Sequence, residues 1–195
     1  TNTDSYTKTG SKGNEGLLNG TFTTYTTSEG EDGITSDYFA YLEGIYTYNN
    51  PEAVNINVFA TPGLDLRDQP SLIDAAVDMV ENDRADSLYV ITTPDTSSDG
   101  ETVLTPDEAT GILDDSGIDS NYSATYFPWL QMNDTENNQY IWLPPTLEVV
   151  RNIALTDNVA FPWFAAAGLN RGTTNAIKAR TKLTLDQRDD LYEGA

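Results

Sequence analysis

Apolar and polar positions divide the chain into strand-like and helix-like stretches that follow one another. Val54, Ile56 and Val58 alternate with polar residues up to Phe59, which puts them on one face of a strand. That strand ends at the turn Thr61-Pro62-Gly63. From Pro70 to about Asp83, Leu72, Ile73, Ala76, Val77 and Val80 recur at helical spacing, with Asp74, Asp78 and Glu81 on the other side. Residues 88–92 form a nearly continuous apolar run, the pattern of a strand covered on both faces. Thr105-Pro106-Asp107-Glu108 is a helix start, with Thr as N-cap, Pro at the first helical position and Glu completing a capping box. This helix is expected to reach about Ser116 and stop at Gly117. Residues 123–130 and 140–143 predict strands. Pro144 and Pro145 then open a helix over about 146–156 that buries Leu147, Val150, Ile153 and Ala154. A strand over 176–183 and a last helix through Tyr192, capped by Thr184 with Gln187, complete the pattern.

Strands and helices alternating at this spacing predict an α/β layered domain over residues 51–195, with a mostly parallel sheet flanked by helices. Residues 1–50 predict a small β-rich N-terminal part. Thr and Tyr in the runs 22–27 and 37–48 favour pleated strands, and the Gly and Asn between them favour turns. A mobile start to about Gly16 and short strands after it are expected. A flexible linker throughout is the alternative, and the aromatic residues of 38–48 argue against it. The only plausible boundary lies between these two parts. All three tryptophans, Trp129, Trp142 and Trp163, fall within residues 126–172 with Phe127, Tyr140, Phe161 and Phe164, so the core is expected there.

Charge changes this picture from a plain α/β domain to an asymmetric one. The net charge is −21, and residues 1–150 hold four bases against 26 acids, whereas residues 151–195 hold six against five. The first part should repel nucleic acid and anionic membranes, and the last part can face an acidic neighbour. Acidity that merely keeps an abundant surface soluble is the plainer reading. No apolar run approaches the roughly 20 residues that span a membrane. The chain has no Cys and no His, which removes disulfides, thiolate metal sites, the commonest general base and the commonest metal ligand.

Candidate chemistry is correspondingly thin. The turn after the first strand has one glycine, no G-x-G-x-x-G and no Walker lysine, leaving only a backbone anion site near Pro70 as a physical option. Residues 95–101 place carboxylates at positions 1 and 5 and Gly at 6 of a calcium loop, but Ser97 stands at 3 and Pro106 at 12. An acidic surface turn explains them as well. Asp114-Asp115 and Asp189-Asp190 are adjacent, so on a helix they diverge by about 100°. Three Asn-x-Ser/Thr triplets, beginning at Asn19, Asn121 and Asn133, are short enough to arise by chance. No catalytic, cofactor or metal residue is assigned.

An aromatic-Pro-Trp strand end, a polar insertion, a Trp or Val followed by Pro and a helix, a Thr-Asp just after that helix, then PW…AGLNRG and finally TLDQRDDLYEGA resembles the contractile tail sheath proteins of bacteriophages. The match covers about residues 123–195; Ala166 stands where many sheaths have Pro, and Val150-Arg151 where small residues are common. What the resemblance implies is a non-catalytic structural subunit without cofactor, whose partners are copies of itself in stacked six-fold rings, an inner tail tube protein, and baseplate and tail terminator proteins. It also implies a place in the virion after assembly in the host cytoplasm, terminal arms that add strands to neighbours, and contraction by repacking of rigid domains that drives the tube through the host envelope. Residues 1–50 would then be part of an insertion domain, the arm would follow Ala195, and the less acidic final part would face the tube. Arg171 either bridges to a neighbouring subunit or satisfies carbonyls in its own domain, while Asp186, Arg188, Asp189 and Tyr192 are candidate subunit or tube contacts. Alternatives are the sheath of a phage-tail-like bacteriocin or injection system, a carboxylate-rich α/β ligand-binding or hydrolytic domain, and a carbohydrate-binding module.

Overall fold

The structure, a computed structural model, describes residues 25–26, 32–33 and 36–193. The expected mobile start and the Asn19 triplet lie outside the described residues. Tyr25–Thr26 (β1) and Asp32–Gly33 (β2) pair antiparallel. Ser36–Tyr46 (α1) is a helix where short strands were expected. Thr and Tyr lean towards strand, but Tyr38, Tyr41, Leu42 and Ile45 repeat at helical spacing, and all four pack on the hydrophobic core. Burial of that stripe outweighs the local preference.

The α/β unit follows. Val58–Ala60 (β3), Leu88–Ile91 (β4) and Ser123–Thr125 (β5) form a parallel sheet in the order β3-β4-β5. Of the alternating residues expected in the first strand, Val58 is in it, while Val54 and Ile56 precede it. Pro70–Asp78 (α2) buries Leu72, Ile73, Ala76 and Val77, as the spacing predicts, and continues as a π-helical turn, Met79–Arg84, into left-handed Ala85 (φ 56°). Pro106–Ser116 (α3) carries the expected capping box. Glu108 N–H donates to Thr105 Oγ1 (3.3 Å), Thr105 N–H donates to Glu108 Oε2 (2.9 Å), and Gly117 ends the helix at φ 66°.

Two successive crossovers that step the same way across a parallel sheet put α2 and α3 on one face. The alternation along β4 agrees. Tyr89 and Ile91 enter the core cluster with α2, and Ile112 and Leu113 of α3 pack against it, while the Thr92 hydroxyl just past β4 meets Thr146 on the opposite face (2.9 Å). That opposite face is covered by Pro145–Val159 (α4), which rests on β3 and β4.

The α/β layering with a parallel sheet flanked by helices is as expected, but the later strands stand apart from that sheet. Leu130–Asp134 (β6), Gln139–Leu143 (β7) and Lys178–Ala179 (β8) form a separate antiparallel sheet, β7-β6-β8. Only residues 135–138 connect β6 to β7, and a parallel return needs a crossover of about a dozen residues or more. Asp134 fixes this turn by accepting from the N–H groups of Glu136 and Asn137. Most of the strand expected over 176–183 is loop. Leu185–Glu193 (α6) packs on α3 and has the expected cap, with Thr184 and Gln187 exchanging hydrogen bonds of 3.0 and 3.3 Å.

The core is not where the tryptophans are. It consists of Ile45, Leu64, Leu66, the α2 stripe, Met79, Val80, Tyr89 and Ile91, all buried. Trp129 is half-buried and donates Nε1–H to Thr93 O (2.9 Å), Trp142 lies beneath the cations of Lys178 and Arg180, and Trp163 is 76% exposed. An indole buries large area only when two layers close over it, and here the two layers are α2 with α3 and the parallel sheet.

Candidate functional site

α4 is turned the opposite way from its sequence pattern. Its buried residues are Pro145, Thr146, Glu148, Asn152 and Thr156, whereas Leu147 and Ala154 are exposed and Val150 and Ile153 half-buried. Each buried polar group has a partner, as burial requires. Thr146 meets Thr92, and Thr156 donates to Asn152 O (2.8 Å). Asn152 Oδ1 and Glu148 Oε2 both accept from Arg151 Nη1, and Glu148 Oε2 also accepts the N–H of Asn175 (3.2 Å). Arg151 reaches Thr173 O as well, so the segment after α4 is tied back along the helix.

Between these anchors the chain makes an aromatic cluster. Phe161 and Trp163 stack with ring centroids 4.7 Å apart and planes 5° from parallel, and Phe164 lies 5.8 and 6.5 Å from them. Gly168–Arg171 (α5) is a single turn that closes the loop. Gly168 sits at φ 83°, and a Cβ at Gly172 would come within 2.7 Å of the Ala167 backbone, so both glycines are required. Arg171 donates Nε–H to Ala165 O (3.3 Å) and holds its guanidinium 5.5 Å from the centre of the Phe164 ring. Of the two roles open to Arg171 in the sequence, carbonyl satisfaction within its own loop is present.

The other candidate contacts lie elsewhere. Asp186, Arg188 and Asp189 are exposed on α6, and Tyr192 is 86% exposed. Arg188 and Tyr192 line a groove with Thr93, Leu113, Tyr126 and Leu183, between α6, α3 and the strand ends. Arg171 is not part of that groove.

The calcium-like loop is occupied by its own hydrogen bonds. Asp99 accepts from the N–H groups of Glu101 and Thr102 and from the Thr102 hydroxyl, and Ser97 Oγ donates to Glu108 Oε2 (2.9 Å). Asp95 pairs with Arg180 at 3.2 Å; burial raises its carboxyl above the ordinary value and the Arg180 charge offsets part of that rise. Among the described residues no three metal-binding side chains converge. Asp114 and Asp115 are exposed on α3.

Glu108 is held below its ordinary value of 4.5, first by the Thr105 N–H, then by the Thr105 and Ser97 hydroxyls. A lowered folded pKa stabilises the fold above the unfolded pKa, and that contribution fades as pH falls through the folded value. The urea midpoint of the wild type should therefore drop more between about pH 5 and pH 3 than that of Glu108→Gln. Equal drops would mean that the cap carries no charge-dependent stability.

No family model matches the chain. Among curated proteins, the tail sheath protein of Vibrio phage KVP40 (isolate Vibrio parahaemolyticus/Japan/Matsuzaki/1991) is 25% identical over 135 residues, covering 60% of this chain and 20% of that protein. The tail sheath protein of Enterobacteria phage T4 is 35% identical over 81 residues, covering 41% of this chain and 11% of that protein. The chain thus spans no more than about a fifth of the length of these relatives. Over part of its length, this chain is a distant relative of phage tail sheath proteins.

Proposed function

We propose that this chain is the α/β portion of a non-catalytic sheath subunit that polymerises around the tail tube of a contractile phage and contracts to drive the tube into its host. The observation that carries this reading is the similarity to two phage tail sheath proteins. The chemistry of the chain supports it: there is no His or Cys in the sequence, and the Asp95 and Asp99 carboxylates of the calcium-like loop are committed to an ion pair and to turn hydrogen bonds. In this reading the partners are other copies in stacked six-fold rings, the tube protein, and baseplate and terminator proteins. Assembly takes place in the host cytoplasm and the product resides in the virion. The arms of neighbouring subunits would add strands to the outer edges of the β3-β4-β5 and β7-β6-β8 sheets. Residues 51–195 belong to the core domain together with α1, whose apolar stripe packs into the same hydrophobic core, so an insertion domain is confined to residues before Ser36. Contacts through Arg188 and Tyr192, at the α6 groove, and through Asp186 and Asp189 complete the assignment.

Negative-stain electron microscopy of the intact gene product tests it. Striated tubes or ring stacks of uniform width are expected. A monodisperse monomer at every salt and protein concentration would overturn the reading.

A further inference from the structure

We propose that the aromatic cluster of Phe161, Trp163 and Phe164, with Leu169 and Arg171, docks on the acidic outer face of α2 and α3 of a second copy of this chain. The identity of the partner rests on the sheath reading; the choice of surfaces rests on the structure.

The first surface is apolar, exposed and held in shape. Phe161 is 54% exposed, Trp163 76% and Leu169 92%, with Phe164 also exposed. Side chains of this kind, gathered in one loop, mark an interaction site when they are contiguous. The two required glycines, the Arg171 hydrogen bond and the Glu148–Asn175 tie restrict the loop before any partner arrives, which lowers the ordering cost of binding. Trp and Arg are also the side chains that most often dominate interfaces.

The second argument is charge. Residues 158–185 contain no Asp or Glu and carry Arg171, Lys178, Arg180 and Lys182, whereas the rest of the chain holds six bases against 31 acids, a balance of −25. Among the described residues, Arg180 alone of these four forms an ion pair. The first part of this segment runs beside α4, as the contacts of Thr173 and Asn175 show, whereas Thr181 and Leu183 near its end reach α3. On the other side of the parallel sheet, Asp74 and Asp78 of α2 and Asp107, Asp114 and Asp115 of α3 are exposed. The molecule therefore presents the aromatic loop with Arg171 on the α4 side of the parallel sheet and the carboxylates of α2 and α3 on the other side. Two copies fit front to back, with opposite charges steering and orienting the contact. A contact between unlike surfaces leaves both copies with one surface free, so it repeats into a ring or an open filament.

The test uses the intact gene product, sedimented over a concentration series, with Trp163→Ala, Arg171→Glu and the double variant Asp114→Lys/Asp115→Lys. Each variant is expected to keep the wild-type circular dichroism, because the substituted side chains lie outside the core, and to raise the half-assembly concentration at least about tenfold. Combining Arg171→Glu with Asp114→Lys/Asp115→Lys should recover part of the loss. The emission difference between wild type and Trp163→Phe should be solvent-like in the monomer and shift to the blue on assembly. Wild-type tubes together with unchanged assembly of Trp163→Ala and a solvent-like Trp163 would overturn this proposal and leave the sheath reading standing. A blue-shifted Trp163 in the monomer, or one that shifts only when a tube protein is added, would assign the surface to another occupant and overturn it too. A wild type that never assembles would remove both.

Discussion

Leu72→Ala is expected to lower the unfolding free energy by about 2–5 kcal/mol, a large share of the roughly 5–15 kcal/mol that holds a domain together. Leu72 is fully buried on α2, in the cluster where α1, α2 and β4 meet. The alanine removes three carbons from a site that rigid neighbours on a helix and a sheet cannot fill. Urea denaturation followed by circular dichroism gives the value, with Leu185→Ala as control, since Leu185 is 72% exposed and should change stability by no more than about 0.5 kcal/mol. A loss under about 1 kcal/mol at Leu72 would mean that the core lies elsewhere, around the tryptophans as composition suggested.

Arg84→Met is expected to cost about 3 kcal/mol, although methionine fills much of the same space. The Arg84 side chain is fully buried. Its guanidinium donates to both carboxylate oxygens of Asp86 (2.9 and 3.2 Å) and to Tyr48 O (2.6 Å), joining the end of the π-helical turn to the chain after α1. Methionine leaves the Tyr48 carbonyl and one carboxylate without these donors. Arg84→Lys should recover less than half of the loss, because an ammonium cannot serve a carboxylate and a carbonyl in the geometry of a planar fork. Denaturation midpoints of the two variants decide the matter. An Arg84→Met protein as stable as the wild type would show that water replaces the fork at no cost.

Where a sequence signal is local and its physical cause is local, it matched the structure. The caps at Thr105 and Thr184 depend on residues three apart, and both form as their spacing requires. The α2 stripe is likewise complete within one helix. The misread elements were decided by distant partners. α1 became helical because its stripe of Tyr38, Tyr41, Leu42 and Ile45 found the core, a spacing that was present but outvoted by residue preferences. α4 turned its polar stripe inward because Thr92 and Asn175, from two other parts of the chain, supply hydrogen bonds to it. Hydrophobic periodicity cannot register such pairs. The separate antiparallel sheet was readable from the four-residue connection between β6 and β7, which excludes a parallel return. At the candidate site, the local hold on Arg171 agreed with one of its two anticipated roles, while the exposure of Trp163 ran against the rule that large aromatics go inside. Apolar content alone does not separate a core from a docking surface.

The order of the elements along the chain also sets a timetable for synthesis. The parallel sheet and both helices on its acidic side are complete by Thr125, whereas the aromatic loop and β8 come from residues after 160. A nascent chain on the ribosome thus displays the acidic surface while its apolar and basic counterpart is still being made. Neighbouring nascent chains on one messenger RNA carry like charges at that stage and repel one another. In the proposed reading, pairing of the two surfaces waits until the aromatic loop has followed the parallel sheet out of the ribosome.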